Sequence, residues 1–334
     1  NRKRYATGHG VSAFWKIECE SWSIYTDLLP VTEVGQMDFE YAFKKGLARK
    51  CLSLKHLSDL SSATSEEKMC SLEQLIDVYE MWIADLNVLS IKEELQDDAY
   101  RHIDLCKDTT SRMRKGIDCL RRNADAMKAF ELANRAMLMQ MKHRDIVQHV
   151  PDDEDASATR YKAVDYRSID TDYSDPRIRT WRPFQAAFLL MNICALTDTE
   201  PHVDETEEAE RDRNIVDIIW FPTGGGKTEA YLALTAFAIF YRRLSYVGES
   251  DGTAVLMRYT LRLLTSQQFA RASTLICACD QIREEFWNCS RRRDIRWKKP
   301  ITIGLWIGGD HTPNKNSSYE PKGAKQYCDL LMNR

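Results

Sequence analysis

The sequence is short of paired cysteines, of glycine and proline over long stretches, and of extended apolar runs. Its ten cysteines form no C-x-x-C, and the closest two, Cys277 and Cys279, point to different sides of a helix. A zinc ribbon needs paired ligands, so that class is disfavoured. Scattered thiols fit a reducing compartment with buried free cysteines. The seven histidines are scattered as well, with no H-x-x-x-H, and read as structural or surface residues. The longest near-apolar run, Ala230–Tyr241, has 12 residues including Thr235, too short to cross a bilayer. No charged segment leads into an apolar one at the start, so no signal peptide is visible. The first residue is Asn1 rather than Met, which suggests a natural N-terminus further upstream. Positive charge is not in excess: 47 basic residues face 50 acidic ones, a net charge of −3. A globally basic nucleic-acid binder is excluded, whereas a local basic track is not.

Residues 47–223 contain one glycine, Gly116, and residues 31–150 contain no proline. Both residues are costly inside helices, so their absence predicts long helices and a mainly helical domain over residues 1–150. Leu72, Leu75, Ile76, Tyr79, Trp82, Ile83, Leu86 and Leu89 recur at helical spacing, with Ser71 and Gln74 as the expected capping box. Two further helices are expected near Ala99–Leu120 and Ala124–Lys142. Met113, Ile117, Leu120, Phe130, Met137, Leu138 and Met141 would line their core faces. Residues 151–180, opening on Pro151-Asp152-Asp153-Glu154-Asp155, read as a linker. An acidic insert follows at residues 201–213, with six carboxylates against two arginines.

From Asn214 the rhythm changes to strand, loop and helix. Ile215–Phe221, Thr253–Met257 and Ile301–Ile307 are β-branched runs, and helices are expected at Lys227 to about Tyr246 and about Leu263 to Phe286. Such alternation predicts an α/β fold with a parallel sheet covered by helices over residues 181–334.

The chemistry-bearing motif is Phe221-Pro222-Thr223-Gly224-Gly225-Gly226-Lys227-Thr228, placed after one expected strand and opening a helix. Glycines let backbone N–H groups close around phosphate oxygens, and a helix N-terminus adds a positive dipole end. Lys227 would reach the β- and γ-phosphates of ATP, and the Thr228 hydroxyl would ligate Mg²⁺; these two are the candidate catalytic residues. Thr223, Gly224, Gly225 and Gly226 would complete the nucleotide cradle. The strict G-x-x-x-x-G-K-[ST] pattern is not met, because its first glycine falls on Phe221. The Pro-Thr-Gly-x-Gly-Lys-Thr form resembles that of superfamily 2 helicases and translocases.

Other segments extend the resemblance. Arg182-Pro183-Phe184-Gln185 is similar to the upstream glutamine motif of these enzymes, which would make Gln185 an adenine reader with Trp181 or Phe184 stacking on the base. The surface-glutamine alternative stands beside it. Val255–Leu264 resembles motif Ia, and Ile301–Gly309 the strand and Gly-Gly loop after it. Arg258, Thr260, Arg262, Gly308 and Gly309 would then line a DNA track. Gly252–Cys279 holds three arginines and no carboxylate, which suits phosphate contact, although internal ion pairs would explain the same arginines. Arg291–Lys299 carries six basic residues against one acid, with Trp287 and Trp297 nearby; a nucleic-acid contact and a solvated loop are both open.

A narrower resemblance runs through Trp220–Leu232, Met257–Thr265 with Gln267-Gln268-Phe269, Gly8-His9-Gly10 and Leu28–Val34. These segments resemble the helicase subunit of the DISARM anti-phage defence system (DrmA-like proteins), most strongly over residues 182–309. The resemblance implies a RecA-like first helicase domain after a family-specific N-terminal domain. It also implies a bacterial cytoplasmic, membrane-free DNA translocase that hydrolyses ATP and works with a partner subunit. Such enzymes need an Asp-Glu motif for Mg²⁺ and water, together with a second RecA-like domain. No apolar run after Thr228 ends in Asp-Glu. The sheet would then be incomplete at its C-terminal end, the protein longer than this chain, and the chain alone inactive. The alternative is a DNA- or partner-docking module with a vestigial nucleotide site.

Overall fold

The computed structural model describes residues 11–18, 21–28, 38, 40–148, 179–197, 213–220, 225–246, 252–259, 262–289 and 294–306. The chain divides into two compact units, Asn1–Phe39 and Glu40–Arg334. In the first, strands β1 (Val11–Glu18) and β2 (Ser21–Leu28) form an antiparallel hairpin paired from Val11↔Leu28 to Glu18↔Ser21. Trp22, Ile24 and Tyr25 of β2 are exposed.

The second unit is helical. Two single turns, α1 (Tyr41–Lys44) and α2 (Leu54–Leu57), precede α3 (Ser65–Asn87), α4 (Gln96–Arg122), α5 (Ala124–Gln148), α6 (Pro183–Thr197), α7 (Lys227–Ser245) and α8 (Arg262–Cys289). The absence of glycine and proline therefore does produce long helices, in the places expected to within a few residues. The start of α3 is the exception. Its capping box is Thr64 with Glu67: the Thr64 hydroxyl accepts from the Glu67 N–H, and the Glu67 carboxylate accepts from the Thr64 N–H at 2.7 Å. Ser71 lies a full turn inside, its hydroxyl bonded to the Glu67 carbonyl at 2.9 Å and to His56 Nε2 at 2.9 Å.

The expected RecA-like parallel sheet is overturned. Among the described residues the only sheet is the β1–β2 hairpin, and the chain is mainly helical. Residues 215–220, 253–259 and 301–306 run without strand pairing. The sequence pattern in them is real but local. Asp217 and Ile219 are half-buried while Val216, Ile218 and Trp220 are exposed, and Met257 and Ile301 pack on the helical core. Alternation decides which side of a segment meets the helices. A ladder needs a neighbouring strand in register as well.

The core is continuous through α3 to α8. Helix α5 is its centre, packing on α7, α8, α4 and α2. Every residue from Leu132 to Met141 is buried, so this helix has no solvent face over that stretch. The expected core residues Met113, Ile117, Leu120, Phe130, Met137, Leu138 and Met141 are all buried. Alanines dominate the contacting surfaces: Ala126, Ala129, Ala133 and Ala136 on α5, Ala230, Ala233 and Ala236 on α7. Small side chains allow short interhelical distances.

Several polar groups inside this core are paired, although the Gln140 side-chain oxygen on α5 is buried without a hydrogen-bond partner among the described residues. Lys68 of α3 is 2% exposed and meets Glu131 of α5. Arg112 of α4 makes a two-pronged bond to Asp217 at 2.6 and 2.9 Å and reaches the Met191 carbonyl of α6. Residues 179–181 run against the turn before α2. Leu54 N–H donates to the Arg179 carbonyl and Trp181 N–H to the Leu52 carbonyl. The Trp181 ring is then enclosed, with its indole N–H on Asn134 of α5 at 2.7 Å.

Gly116 sits where α4 crosses α6. A Cβ there would lie 2.1 Å from the Leu190 carbonyl oxygen. Gly116→Ala raises helix propensity by about 1 kcal/mol, yet the overlap forces the helices apart. The expected net result is a loss of about 2 kcal/mol, seen as a lower unfolding midpoint; an unchanged or higher midpoint would show the crossing to be loose. A pH-dependent loss is expected from His56. Burial, aided by nearby Lys50 and Lys68 and opposed by Glu67, holds its imidazole down to about 4 against the usual 6.5. The unfolded chain binds that proton more readily, so stability is full above pH 6.5 and falls as pH drops toward 4. His56→Gln should flatten this part of the stability profile, as measured by denaturant midpoints at successive pH values.

Candidate nucleotide site

The site begins with the anchoring of α7. Leu232, Ala236, Phe237 and Phe240 are fully buried, which fixes the axis of the helix and with it the position of its first turn. Its N-cap is Gly226, in the left-handed region at φ 85° and ψ 24°, where any side chain is strained. A Cβ at Gly226 would also lie 2.7 Å from Gln185 Nε2, so the Gln185 side chain would have to shift. Lys227 and Thr228 follow as the first two helical residues, both half-buried. The first backbone N–H groups of a helix have no partner within it, and they face an incoming anion together with the dipole's positive end.

The start of α6 closes on this turn. Pro183 occupies the first helical position, which suits its fixed φ and missing N–H. Arg182 is then the capping residue and Gln185 stands three residues on. The Gln185 side-chain oxygen accepts from the Arg182 N–H at 2.9 Å, which is half of a capping box. Its Nε2 donates across to the Gly226 carbonyl at 2.8 Å, and Arg182 Nη1 donates to the Gly225 carbonyl at 2.6 Å. Two consecutive loop carbonyls are thus held by α6. A concave run of backbone N–H groups that binds an anion needs its carbonyls turned away in this manner.

On the other flank, Glu229 in the first turn of α7 is 6% exposed and pairs with Arg271 of α8. A carboxylate is favourable at a helix N-terminus, and this one also ties the loop to α8. Tyr259, at the end of the segment leading into α8, lies close enough to Arg271 to feel its charge. Burial nonetheless raises its phenol above the usual range.

The expected residues divide as follows. Gly225, Gly226, Lys227, Thr228 and Gln185 come together in one place. Gln185 is 4% exposed, and both ends of its amide are bonded within the protein. Trp181, offered as a base-stacking partner, is in the helical core; Phe184 is half-buried. Arg258 is exposed on the segment before α8, and Arg262 is the first residue of α8. Phe221, Pro222, Thr223, Gly224, Thr260, Gly308 and Gly309 lie outside the described residues, as do the linker up to residue 178 and the acidic insert up to residue 212. In the basic tract, Asp294 caps a short turn and pairs with Arg296 at 2.7 Å. Trp297 is 3% exposed and stacks on Phe286 at 4.7 Å, so it is a core residue and not a surface platform for bases.

The contacts of Arg182 with Gly225 and of Glu229 with Arg271 are absent from the sequence reading. The first had a partial signal, a glutamine one turn into a helix that opens on Arg-Pro. The second had none, because its partners are 42 residues apart. Among the described residues no cluster of three or more His, Cys, Asp or Glu could hold a metal ion. A Mg²⁺ that arrives with nucleotide takes most of its ligands from phosphate and water and needs little from the protein beyond one hydroxyl; Thr228, the expected ligand, is half-buried in the first turn of α7. No helix among the described residues is long and apolar enough to cross a membrane.

No protein-family model matches the chain. It is 32% identical over 325 residues to DISARM protein DrmA of Bacillus paralicheniformis, an alignment that takes in 94% of this chain and 26% of that protein. The chain thus spans about a quarter of the length of its relative. Across nearly all of its own length, it stands in a DrmA-like relationship to that DISARM protein.

Proposed function

We propose that this chain is part of an ATP-driven DNA helicase or translocase acting in DISARM anti-phage defence in the bacterial cytoplasm, together with a partner subunit. Nucleoside triphosphate binds at residues 222–228. Lys227 meets the β- and γ-phosphates, and Thr228 contributes its hydroxyl to Mg²⁺. The metal supplies charge neutralisation on the transferring phosphoryl group. Arg258, Thr260, Arg262, Gly308 and Gly309 contact DNA, the arginines through phosphate. The observation that carries the nucleotide reading is the loop itself. Gly226 is left-handed at the head of a buried helix, with its carbonyl and that of Gly225 held by α6. The DrmA-like relationship supports the defence setting.

A second reading has its own observation. Gln185, expected to read the base, is 4% exposed with both ends of its amide bonded within the protein. A docking module with a vestigial nucleotide site would look the same over these residues.

The full-length protein separates the two. DNA-stimulated ATP hydrolysis is the expected activity, and Lys227→Ala is expected to lower it by about 100-fold or more, the scale of losing one charge-stabilising donor. Equal turnover in wild type and variant would sink the nucleotide assignment. Absence of turnover in the wild type, with and without DNA, would favour the docking module.

A further inference from the structure

The side chain at position 185 raises a question that the phosphate-loop reading leaves open. A residue that reads a base must present a donor and an acceptor outward. Gln185 presents neither: its oxygen caps α6, its nitrogen holds the Gly226 carbonyl, and the residue is 4% exposed. The pairing also fixes which way the amide points, because the backbone N–H of Arg182 must meet the oxygen and the carbonyl of Gly226 must meet the nitrogen. It further explains the residue type. Glutamate would serve the cap equally well, but it has no proton to give to Gly226. Only an amide of this length supplies both.

We propose that Gln185 and Arg182 are positioning residues for the phosphate loop, and that the site takes nucleoside triphosphates by their phosphates without reading the base. This rests on the nucleotide reading above and adds the ligand class to it. Arg182 and Gln185 act one residue apart on the loop, on the carbonyls of Gly225 and Gly226. With both held, the N–H groups that open α7 are left facing the phosphate. Release of either carbonyl lets the peptide rotate, and the cradle loses an N–H. Trp181 cannot supply base recognition by stacking, since its ring is closed into the core against α5.

The test uses full-length protein and calorimetric titration with ATP, GTP and inorganic tripolyphosphate in Mg²⁺ buffer. Wild type should bind ATP and GTP within about threefold of each other. Gln185→Ala should weaken all three ligands by one common factor of about tenfold, the effect of a hydrogen bond of about 1.4 kcal/mol. Gln185→Glu, which keeps the helix cap, should lose as much. Arg182→Met should behave like Gln185→Ala, and Arg182→Lys, which retains a donor, should recover most of the affinity. Thermal melting of each unliganded variant reports whether it is folded, and the Glu and Lys variants carry the test if the others are not. If the position 185 variants remove only a preference for ATP over GTP and leave tripolyphosphate binding intact, Gln185 reads the base; the proposal fails while the phosphate loop stands. If wild type binds none of the three, the phosphate-loop reading fails and takes this proposal with it.

Discussion

Asn134 is fully buried in the middle of α5, and a buried amide must find partners at both ends. Its nitrogen turns back to the Phe130 carbonyl of its own helix at 2.8 Å, and its oxygen accepts the indole N–H of Trp181 at 2.7 Å. That second bond fixes where the chain enters α6. Arg182 and Gln185 follow within one turn, so their reach to the carbonyls of Gly225 and Gly226 depends on it. The geometry of the Gly225–Gly226 turn is therefore set from inside a helical core, by a polar group that the core cannot leave unsatisfied.

A second set of polar groups, buried or half-buried, surrounds the same helix. Lys68 meets Glu131, which Lys128 also approaches at 3.7 Å. Lys128 bonds Asp59 at 3.2 Å, Asp59 lies 3.7 Å from Arg135, and Arg135 meets Glu285 of α8. Glu131 ties α5 to α3, Lys128 and Arg135 tie it to Asp59 after α2, and Arg135 also ties it to α8, while the Lys128–Glu131 contact lies within α5 itself. Buried pairs of this kind add little net stability, because desolvation offsets their attraction. Breaking one leaves a charge stranded, so misdocked arrangements of the helices are penalised.

Legibility in the sequence followed the range of the interaction. Helices could be read because glycine and proline act on their own residue and because apolar spacing repeats every turn. The start of α3 was misread since Ser71 and Gln74 match a capping box as well as Thr64 and Glu67 do; the choice depends on where the backbone leaves the helix. The sheet was misread for a deeper reason. Strand-like alternation at 215–220 and 253–259 is a property of each segment, whereas pairing is a property of two. The β1–β2 hairpin shows the reverse case: Trp22, Ile24 and Thr26 alternate with polar neighbours except at Tyr25, and there the segment does find a partner strand. At the site, the glycine-lysine-threonine spacing was local and legible. The clasp from Arg182 was not, because it joins residues 43 positions apart.

The crossing at Gly116 carries a consequence for how this protein can vary. Every other amino acid brings a Cβ, and the Leu190 carbonyl already occupies the place that a Cβ would take. Position 116 is therefore constrained by the α6 backbone, although α4 around it carries exposed residues. Divergence along this helix must flow past a fixed point. Where relatives differ there, α4 and α6 must be set further apart, and Arg112 must find Asp217 and the Met191 carbonyl across a wider gap.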